Sequence, residues 1–385
     1  MKTIKLFLTL LFITTWCFAQ NNFELRQGAY FTPEEGKAEH AKLAALYQNK
    51  EEWQSRAEEI RKGILDGAEI DNLIRNQKVN ATIHSKKTFA GYTVENVFFE
   101  AFKGVYVSGN LYKPTNIKGK VPGILCPHGH GVDPRFKEYT QQRCATLARM
   151  GAVVFAYDMV GQGDMKQAEH KIRNVLKGQL ITGVRSLDFL SQLPEVDASK
   201  IAMTGESGGG TQTFLLSALD DRISVSVPVV MVSSYFFGGC QCESGMPIHV
   251  REHHKTSNVE IAACFAPKPL LLISDGGDWT QHNPEVAIPH IKRIYHFFDA
   301  KQNIENVHLA NEKHDYGPSK RQAAYAFLAK HLSLNTVQVL INDSFDESKN
   351  TILPSEELSV FNQEHPRPAN AAMGNIALMM AIDAY

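Results

Sequence analysis

The sequence of 385 residues has little of several features that mark common protein classes. Basic residues are not in excess, since 40 lysines and arginines face 41 aspartates and glutamates, and this balance argues against a nucleic-acid-binding surface. Six cysteines are too few for a small disulfide framework, and 43% hydrophobic residues are too many for a disordered chain. After residue 19, no apolar run reaches the roughly 20 residues that cross a bilayer. The composition therefore predicts a globular protein with a sizeable core.

The N-terminus has the pattern of a cleaved signal peptide. Lys2 and Lys5 precede an apolar stretch over residues 6–18, and small residues before Gln20 form a cleavage site after Ala19. A membrane anchor would need a longer apolar run. We therefore predict a signal peptide over 1–19 and an exported protein, periplasmic or extracellular, with no membrane association after cleavage. Export permits disulfides, but the mature chain keeps five cysteines, so at least one thiol stays free.

The hydrophobic periodicity divides the mature chain into parts. Residues 20–90 have helical amphipathic spacing and predict an N-terminal helical lobe. Alternating residues over 94–111, interrupted by Lys103-Gly104, predict an antiparallel hairpin. Apolar strands then alternate with amphipathic helices to residue 331, which predicts an α/β domain over 91–331 with a mostly parallel, doubly wound sheet. Residues 232–257 are an expected insertion over the active site, and residues 332–385 an extension that packs on the core.

The strongest local signal is the pattern Gly205-x-Ser207-x-Gly209. The pattern alone is weak, but here it lies between a strand-like segment and a helix-like segment. A sharp strand-to-helix turn exposes a serine hydroxyl and directs helix amides at developing negative charge. Ser207 is therefore the candidate nucleophile.

A nucleophilic serine needs a base and an oriented acid, which follow in the order Ser, Asp, His in this type of turn. A turn after the strand ending at Ser274 offers Asp278, with Asp275 as the alternative acid. The next strand is followed by His314, the candidate base. The amides of Gly208 and His130 are the candidate oxyanion donors. Each of these residues follows a predicted strand, so all should meet at one edge of the sheet.

These residues resemble the α/β-hydrolase superfamily over about residues 92–331. The loop Asp158-Met-Val-Gly-Gln-Gly is similar to the Arg-Gly-Gln-Gly loop of the acetyl xylan esterase and cephalosporin deacetylase family. Val160, Gly208 and His130 stand where that family has Arg, Gln and Tyr. The lobe, the insertion and the extension resemble exported bacterial acetyl xylan esterase-like proteins. The resemblance implies a serine esterase that removes O-acetyl groups from a polysaccharide or oligosaccharide.

Several other residues can be interpreted as binding a ligand or as stabilising the fold. Glu206 could bind a substrate hydroxyl or form a salt bridge with a lid residue, and Trp279 could stack on a sugar or pack in the core. Glu243 is expected in the pocket wall. The spacing of Cys240 and Cys242 is too tight for a usual zinc knuckle, although a local disulfide is possible, and we predict no metal and no cofactor.

Two other functions use the same residues differently. A peptidase of the prolyl oligopeptidase type has the same triad, but the roughly 70 residues before Tyr92 cannot build its propeller, whose blades need about 40 residues each. A non-catalytic carbohydrate-binding protein on a hydrolase scaffold is the other alternative. The sequence does not determine the oligomeric state.

Overall fold

The structure is a computed structural model that describes residues 23–385. The predicted signal peptide lies outside the described residues. Within them, no helix is both long enough and apolar enough to span a membrane.

A nine-stranded sheet forms the centre of the fold. Its strands, in chain order, are β1 (Thr82–Phe89), β2 (Tyr92–Phe102), β3 (Val105–Pro114), β4 (Val121–Leu125), β5 (Val153–Tyr157), β6 (Val196–Glu206), β7 (Ile223–Val229), β8 (Leu270–Asp275) and β9 (Ile304–Leu309). Their spatial order is β9-β8-β7-β6-β4-β5-β3-β2-β1. Strands β4 to β9 pair in parallel, whereas β1, β2 and β3 form an antiparallel meander that joins the sheet through β5.

Helices cover both faces of this sheet. They are α1 (Pro33–Ala44), α2 (Lys50–Gly67), α3 (Glu138–Arg149), α4 (Val175–Gln192), α5 (Gly208–Leu219), α6 (Gln241–Ser244), α7 (Asn258–Ala263), α8 (Ile288–Phe297), α9 (Pro318–Leu332), α10 (Ser355–Leu358) and α11 (Asn375–Asp383). Short 3-10 turns lie at Pro134–Phe136 and Lys301–Asn303, and a π turn at Asn283–Ala287 precedes α8.

The hydrophobic core lies in two layers, one on each face of the sheet. Trp53 of α2, Leu180 of α4 and Phe214 of α5 belong to one layer. Leu147 of α3 and Leu328 of α9 belong to the other. Strands buried on both faces must be apolar along their whole length, which is why they read as continuous hydrophobic runs. The predicted α/β fold, with a mostly parallel sheet and an antiparallel hairpin, is confirmed.

The N-terminal lobe contains α1 and α2, and Asn49 caps α2 by accepting a hydrogen bond from the Glu52 amide at 2.9 Å. The predicted boundary at residue 90 differs from the structure, since 82–89 form β1 and pair with β2 in the sheet. β1 is a largely exposed edge strand, so its polar sequence carries little hydrophobic periodicity.

The insertion and the C-terminal segment both contact the sheet domain. The C-terminal segment buries five apolar side chains completely: Val339, Leu358, Val360, Leu378 and Ile382. The backbone oxygen of Leu358 also accepts a hydrogen bond from buried Asn110 of β3 at 3.0 Å. In the insertion, Val250–Arg251 pairs with Phe23–Glu24, while the part around α6 lies over the carboxyl ends of the strands.

Candidate active site

Ser207 lies on the tight turn between β6 and α5. Its φ of 54° and ψ of −122° are unfavourable for a residue with a side chain, and such strain is typical of a nucleophile held on a sharp turn. The neighbouring positions leave no room for side chains. A Cβ atom at Gly205 or Gly209 would lie 2.5 or 2.7 Å from the Pro127 oxygen. The two glycines therefore let the turn approach the loop that follows β4.

His314 and Asp278 are brought together from the turns after β9 and β8. His314 Nδ1 lies 2.6 Å from Asp278 Oδ2. The second carboxylate oxygen of Asp278 accepts hydrogen bonds from the amide and the hydroxyl of Thr280, both at 2.6 Å. An acid that accepts the Nδ1 proton leaves Nε2 of the imidazole free to accept a proton. Thr280, which the sequence analysis did not identify, holds the acid in place.

Asp275, the alternative acid, has different partners. Its carboxylate lies 3.2 Å from Lys320 Nζ and accepts a hydrogen bond from the Gly277 amide at 3.0 Å. Burial and the nearby charge of Asp278 raise the pKa of Asp275, although Lys320 opposes them. Of the two acids, the structure places only Asp278 within hydrogen-bonding distance of His314.

The two predicted oxyanion donors lie on facing segments. Gly208 is the first residue of α5, so its amide has no acceptor within the helix. The loop that carries His130 is held by Glu206, which accepts a hydrogen bond from the Gly129 amide at 2.8 Å. Glu206 also forms a buried ion pair with Arg143 of α3 at 3.0 Å. Neither predicted role of Glu206, binding a substrate hydroxyl or pairing with a lid residue, fits this position, because its carboxylate is buried and already paired.

A second buried charge cluster lies under the same edge of the sheet. The Arg135 side chain is completely buried and contacts Asp158 at 2.8 Å and Asp164 at 2.6 Å. Burial acts to raise the pKa of Asp158, but the Arg135 guanidinium and hydrogen bonds from His128 and Arg135 lower it to about 2. The cluster fixes the loop over 158–164. Val160 is buried where the resembling family has an arginine, and the guanidinium groups of Arg135 and Arg367 contact this loop instead.

Ser207 opens into a cavity of about 620 Å³. Its other lining residues are His130, Gln162, His170, Lys171, Phe236, Gly239, Cys240, Glu243 and Trp279. Trp279 stacks on Phe236 with ring centroids 3.9 Å apart, and its ring is 4.5 Å from that of His314. One wall is therefore a flat aromatic surface next to the candidate base, where a sugar ring can stack.

Glu243 lines another wall of the cavity, formed by the insertion around α6. Its carboxylate accepts a hydrogen bond from the Cys240 amide at 2.9 Å and is almost completely buried. Burial raises the pKa of Glu243. The side chain thus fixes the start of α6 within the wall.

Two histidines and two cysteines meet in this wall, a grouping that the sequence analysis did not find. His130 Nε2 lies 3.1 Å from His170 Nε2 and 3.1 Å from Cys242 Sγ. Cys240 belongs to the same cluster, and its Sγ lies within 4.8 Å of the other three ligand atoms. The five cysteines of the described residues are all free thiols. A hydrogen bond with Cys242 has the largest effect in lowering the pKa of the Cys240 thiol. Hydrogen bonds with His130 and His170 also lower it.

The three histidines of the insertion do not form a comparable group. His249 is buried and lies 2.8 Å from Asn258 Oδ1, whereas His253 is exposed. His254 Nε2 bonds to the backbone oxygen of Ile248 at 3.0 Å. None of these three histidines lines the cavity that contains Ser207.

Comparisons with known proteins identify the family of this chain. Residues 68–237 match the family described as Acetyl xylan esterase (AXE1). Among solved structures, Methylesterase BT1017 is 41% identical, with a TM-score of 0.81, and the match covers 89% of this chain and 78% of that chain. A glucuronoyl esterase from Solibacter usitatus is 13% identical with a TM-score of 0.57, over 74% of this chain and 94% of that chain, and shows the fold alone.

Curated relatives match over a shorter region. YtaP of Bacillus subtilis (strain 168) is 29% identical over 134 residues, which is 30% of this chain and 45% of that protein. PA2218 of Pseudomonas aeruginosa is 29% identical over 164 residues, which is 40% of this chain and 42% of that protein. The chain therefore spans less than half the length of the curated relatives that it matches.

Proposed function

This chain belongs to the acetyl xylan esterase-like carbohydrate esterases of the α/β-hydrolase fold, which are serine hydrolases acting on esters, and from that premise we propose that it is an exported enzyme that hydrolyses the methyl ester of a sugar acid. The observation that carries the serine chemistry is the hydrogen bond between His314 and Asp278, at the same sheet edge as the strained Ser207 turn. The methyl ester is supported by the methylesterase relative, which matches most of the chain.

The residues act in two half-reactions. Ser207 Oγ attacks the ester carbonyl while His314 Nε2 takes its proton, and Asp278 stabilises the imidazolium that forms. The amides of Gly208 and His130 bind the oxyanion. His314 then gives the proton to methoxide, which leaves as methanol. Water activated by His314 hydrolyses the acyl-enzyme and releases the sugar carboxylate.

The cavity suits a sugar on the acyl side of the ester. In a methyl ester of a sugar acid, the carbonyl carbon is bonded to the sugar ring, so the ring must lie next to the nucleophile. The stacked rings of Trp279 and Phe236 offer a flat surface there. Lys171 also lines the cavity and supplies a positive charge for carboxylates on neighbouring sugars.

Removal of O-acetyl groups, predicted from the sequence, is the second candidate function. It is favoured by the match of residues 68–237 to the acetyl xylan esterase family. The two reactions differ in which side of the ester carries the sugar. Deacetylation transfers a two-carbon acyl group to Ser207 and releases the sugar as the alcohol.

The test measures methanol and acetate in parallel. Methyl-esterified oligogalacturonides and acetylated xylo-oligosaccharides are incubated with the wild type, with Ser207→Ala and with Ser55→Ala, an exposed serine of α2 that serves as control. We expect the wild type and Ser55→Ala to release methanol at similar rates. In Ser207→Ala the rate should fall by about 10⁴-fold or more. Acetate release without methanol would establish the second candidate instead.

A fluorophosphonate probe separates the chemistry from the substrate class. The wild type and Ser55→Ala should label at Ser207, whereas Ser207→Ala should not. Labelling without hydrolysis of either ester would support Ser207 as the nucleophile and reject both proposed substrates. A folded wild type that does not label would overturn the proposed nucleophile.

A further inference from the structure

Three separate segments contribute side chains to one wall of the cavity. His130 follows β4, His170 lies between β5 and α4, and the two cysteines flank Gln241 at the start of α6. The four ligand atoms, two Nε2 and two Sγ, all lie within 4.8 Å of one another. Neutral imidazoles and thiolates are the ligands that zinc prefers in proteins.

The spacing of these atoms is close to that of a tetrahedral zinc site. Zn–N bonds of about 2.0–2.1 Å and Zn–S bonds of about 2.3 Å place two nitrogens about 3.4 Å apart, and a nitrogen and a sulfur about 3.6 Å apart. His130 Nε2 and His170 Nε2 are 3.1 Å apart, and His170 Nε2 is 3.2 Å from Cys242 Sγ. Shifts of a few tenths of an ångström would bring the two histidine nitrogens and Cys242 Sγ to these spacings, and Cys240 Sγ lies within 4.8 Å of all three.

The two histidine rings are held with Nε2 towards the centre of the cluster. His170 Nδ1 donates its proton to the Val160 backbone oxygen at 2.5 Å, which leaves Nε2 with a free lone pair. The His130 ring packs on Gly208, where a Cβ atom would lie 2.6 Å from His130 Cε1. The His170 ring is thus oriented by a hydrogen bond outside the cluster, as is usual for metal-binding histidines, and the His130 ring by packing.

We propose that His130, His170, Cys240 and Cys242 bind one zinc ion. Four protein ligands complete the tetrahedral shell, so the ion would be structural and not a centre for activating water. Binding releases the protons of the two thiols to solvent. The ion would connect the insertion to the loop that carries the His130 amide. This assignment does not depend on which ester the enzyme hydrolyses.

The proposal explains why the sequence spacing argued against a metal. The two cysteines are separated by a single residue, so they cannot form a usual zinc knuckle by themselves. The other two ligands come from positions 112 and 72 residues before Cys242. A disulfide between the two cysteines is the competing state, because it would remove both thiolates from the site.

The first test measures zinc in purified protein after dialysis against zinc-containing and then zinc-free buffer. We expect about one equivalent in the wild type and in Cys264→Ser, whose thiol is buried outside the cluster. Cys240→Ser and His170→Gln should retain less than about a tenth of it. Circular dichroism shows whether each variant is folded. Equal zinc in all four proteins, or no zinc uptake by the reduced wild type, would reject the site.

The second test uses the wild type alone, so it does not depend on the folding of a variant. Cobalt replaces zinc, and we expect thiolate-to-cobalt charge-transfer bands with the strong visible absorption of tetrahedral Co²⁺. Peptide mass analysis after alkylation without reduction should show both cysteines alkylated once the metal is removed. An octahedral cobalt spectrum, or a native peptide lighter by two hydrogens because of a Cys240–Cys242 disulfide, would overturn the proposal.

Discussion

Two buried charged groups lie under the carboxyl edge of the sheet, and they differ in what each charge faces. In the Arg135 cluster, defined by Arg135, Asp158 and Asp164, the guanidinium is completely buried and faces two carboxylates. In the His314–Asp278 pair, the acid is 2% exposed but the imidazole is 31% exposed. In the first group the charges face one another in the interior, whereas in the second the imidazole is accessible. Buried aspartates therefore belong to a closed ion-pair cluster in one place and lie beside an accessible imidazole in the other.

The largest expected effect comes from the proposed catalytic pair, His314 and Asp278. Asp278→Asn removes the acceptor for the Nδ1 proton of His314, so we expect kcat to fall by about 10⁴-fold. The matched variant Asp275→Asn alters an acid that faces Lys320, and its kcat should stay within about tenfold of the wild type. Methanol release measures both. Equal losses in the two variants would contradict the assignment of the acid.

The Arg135 cluster should affect stability and not turnover per folded molecule. Arg135→Met leaves two buried carboxylates without their cation, so we expect the free energy of unfolding to fall by about 3–5 kcal/mol. Arg173→Met, which removes an exposed ion pair with Asp383, should change it by less than about 1 kcal/mol. Urea unfolding measures both values. A loss for Arg135→Met no greater than that for Arg173→Met would show that the cluster does not stabilise the fold.

The pH dependence of the free energy of unfolding also tests the Arg135 cluster. The pKa of Asp158 is lowered to about 2 from its usual value of 3.8, so the folded state favours the ionised form. Its contribution, about 2 kcal/mol, is complete above pH 5 and is lost as the pH falls towards 2. Asp158→Asn should lack this part of the slope in unfolding experiments between pH 5 and pH 2. An unchanged slope in the variant would reject the lowered pKa.

The smallest expected effect concerns the aromatic wall of the cavity beside the proposed catalytic pair. Trp279→Ala removes the ring that stacks on Phe236, so we expect KM for an oligosaccharide ester to rise by about tenfold. Hydrolysis of 4-nitrophenyl acetate, which carries no sugar, should change by less than about threefold. Kinetics on the two substrates measure the difference. Equal losses on both would mean that Trp279 positions His314 and does not bind the sugar.

Much of the fold was predictable because its signals are local. Buried parallel strands are apolar along their length, and strand-to-helix turns such as that at Ser207 carry small residues. Strand β1 was missed because it is a largely exposed edge strand with little apolar periodicity.

The candidate site was predictable only in part. Ser207, His314 and a nearby acid follow from the order of residues at strand ends, but the choice between Asp275 and Asp278 does not. No sequence pattern indicated that Glu206 would pair with Arg143, which lies 63 residues earlier in the chain. His170, in a loop, was not distinguished from other surface histidines.

The sequence by itself determined the alternation of strands and helices and the residues that lie at the carboxyl edge of the sheet. Only the tertiary structure decided which acid faces His314, which charges neutralise each other in the core, and that two histidines meet two cysteines. Periodicity and turn composition act over a few residues and can be recognised locally. Hydrogen bonds and metal coordination depend on distances of about 3 Å between side chains that are far apart in the chain, and only packing sets those distances.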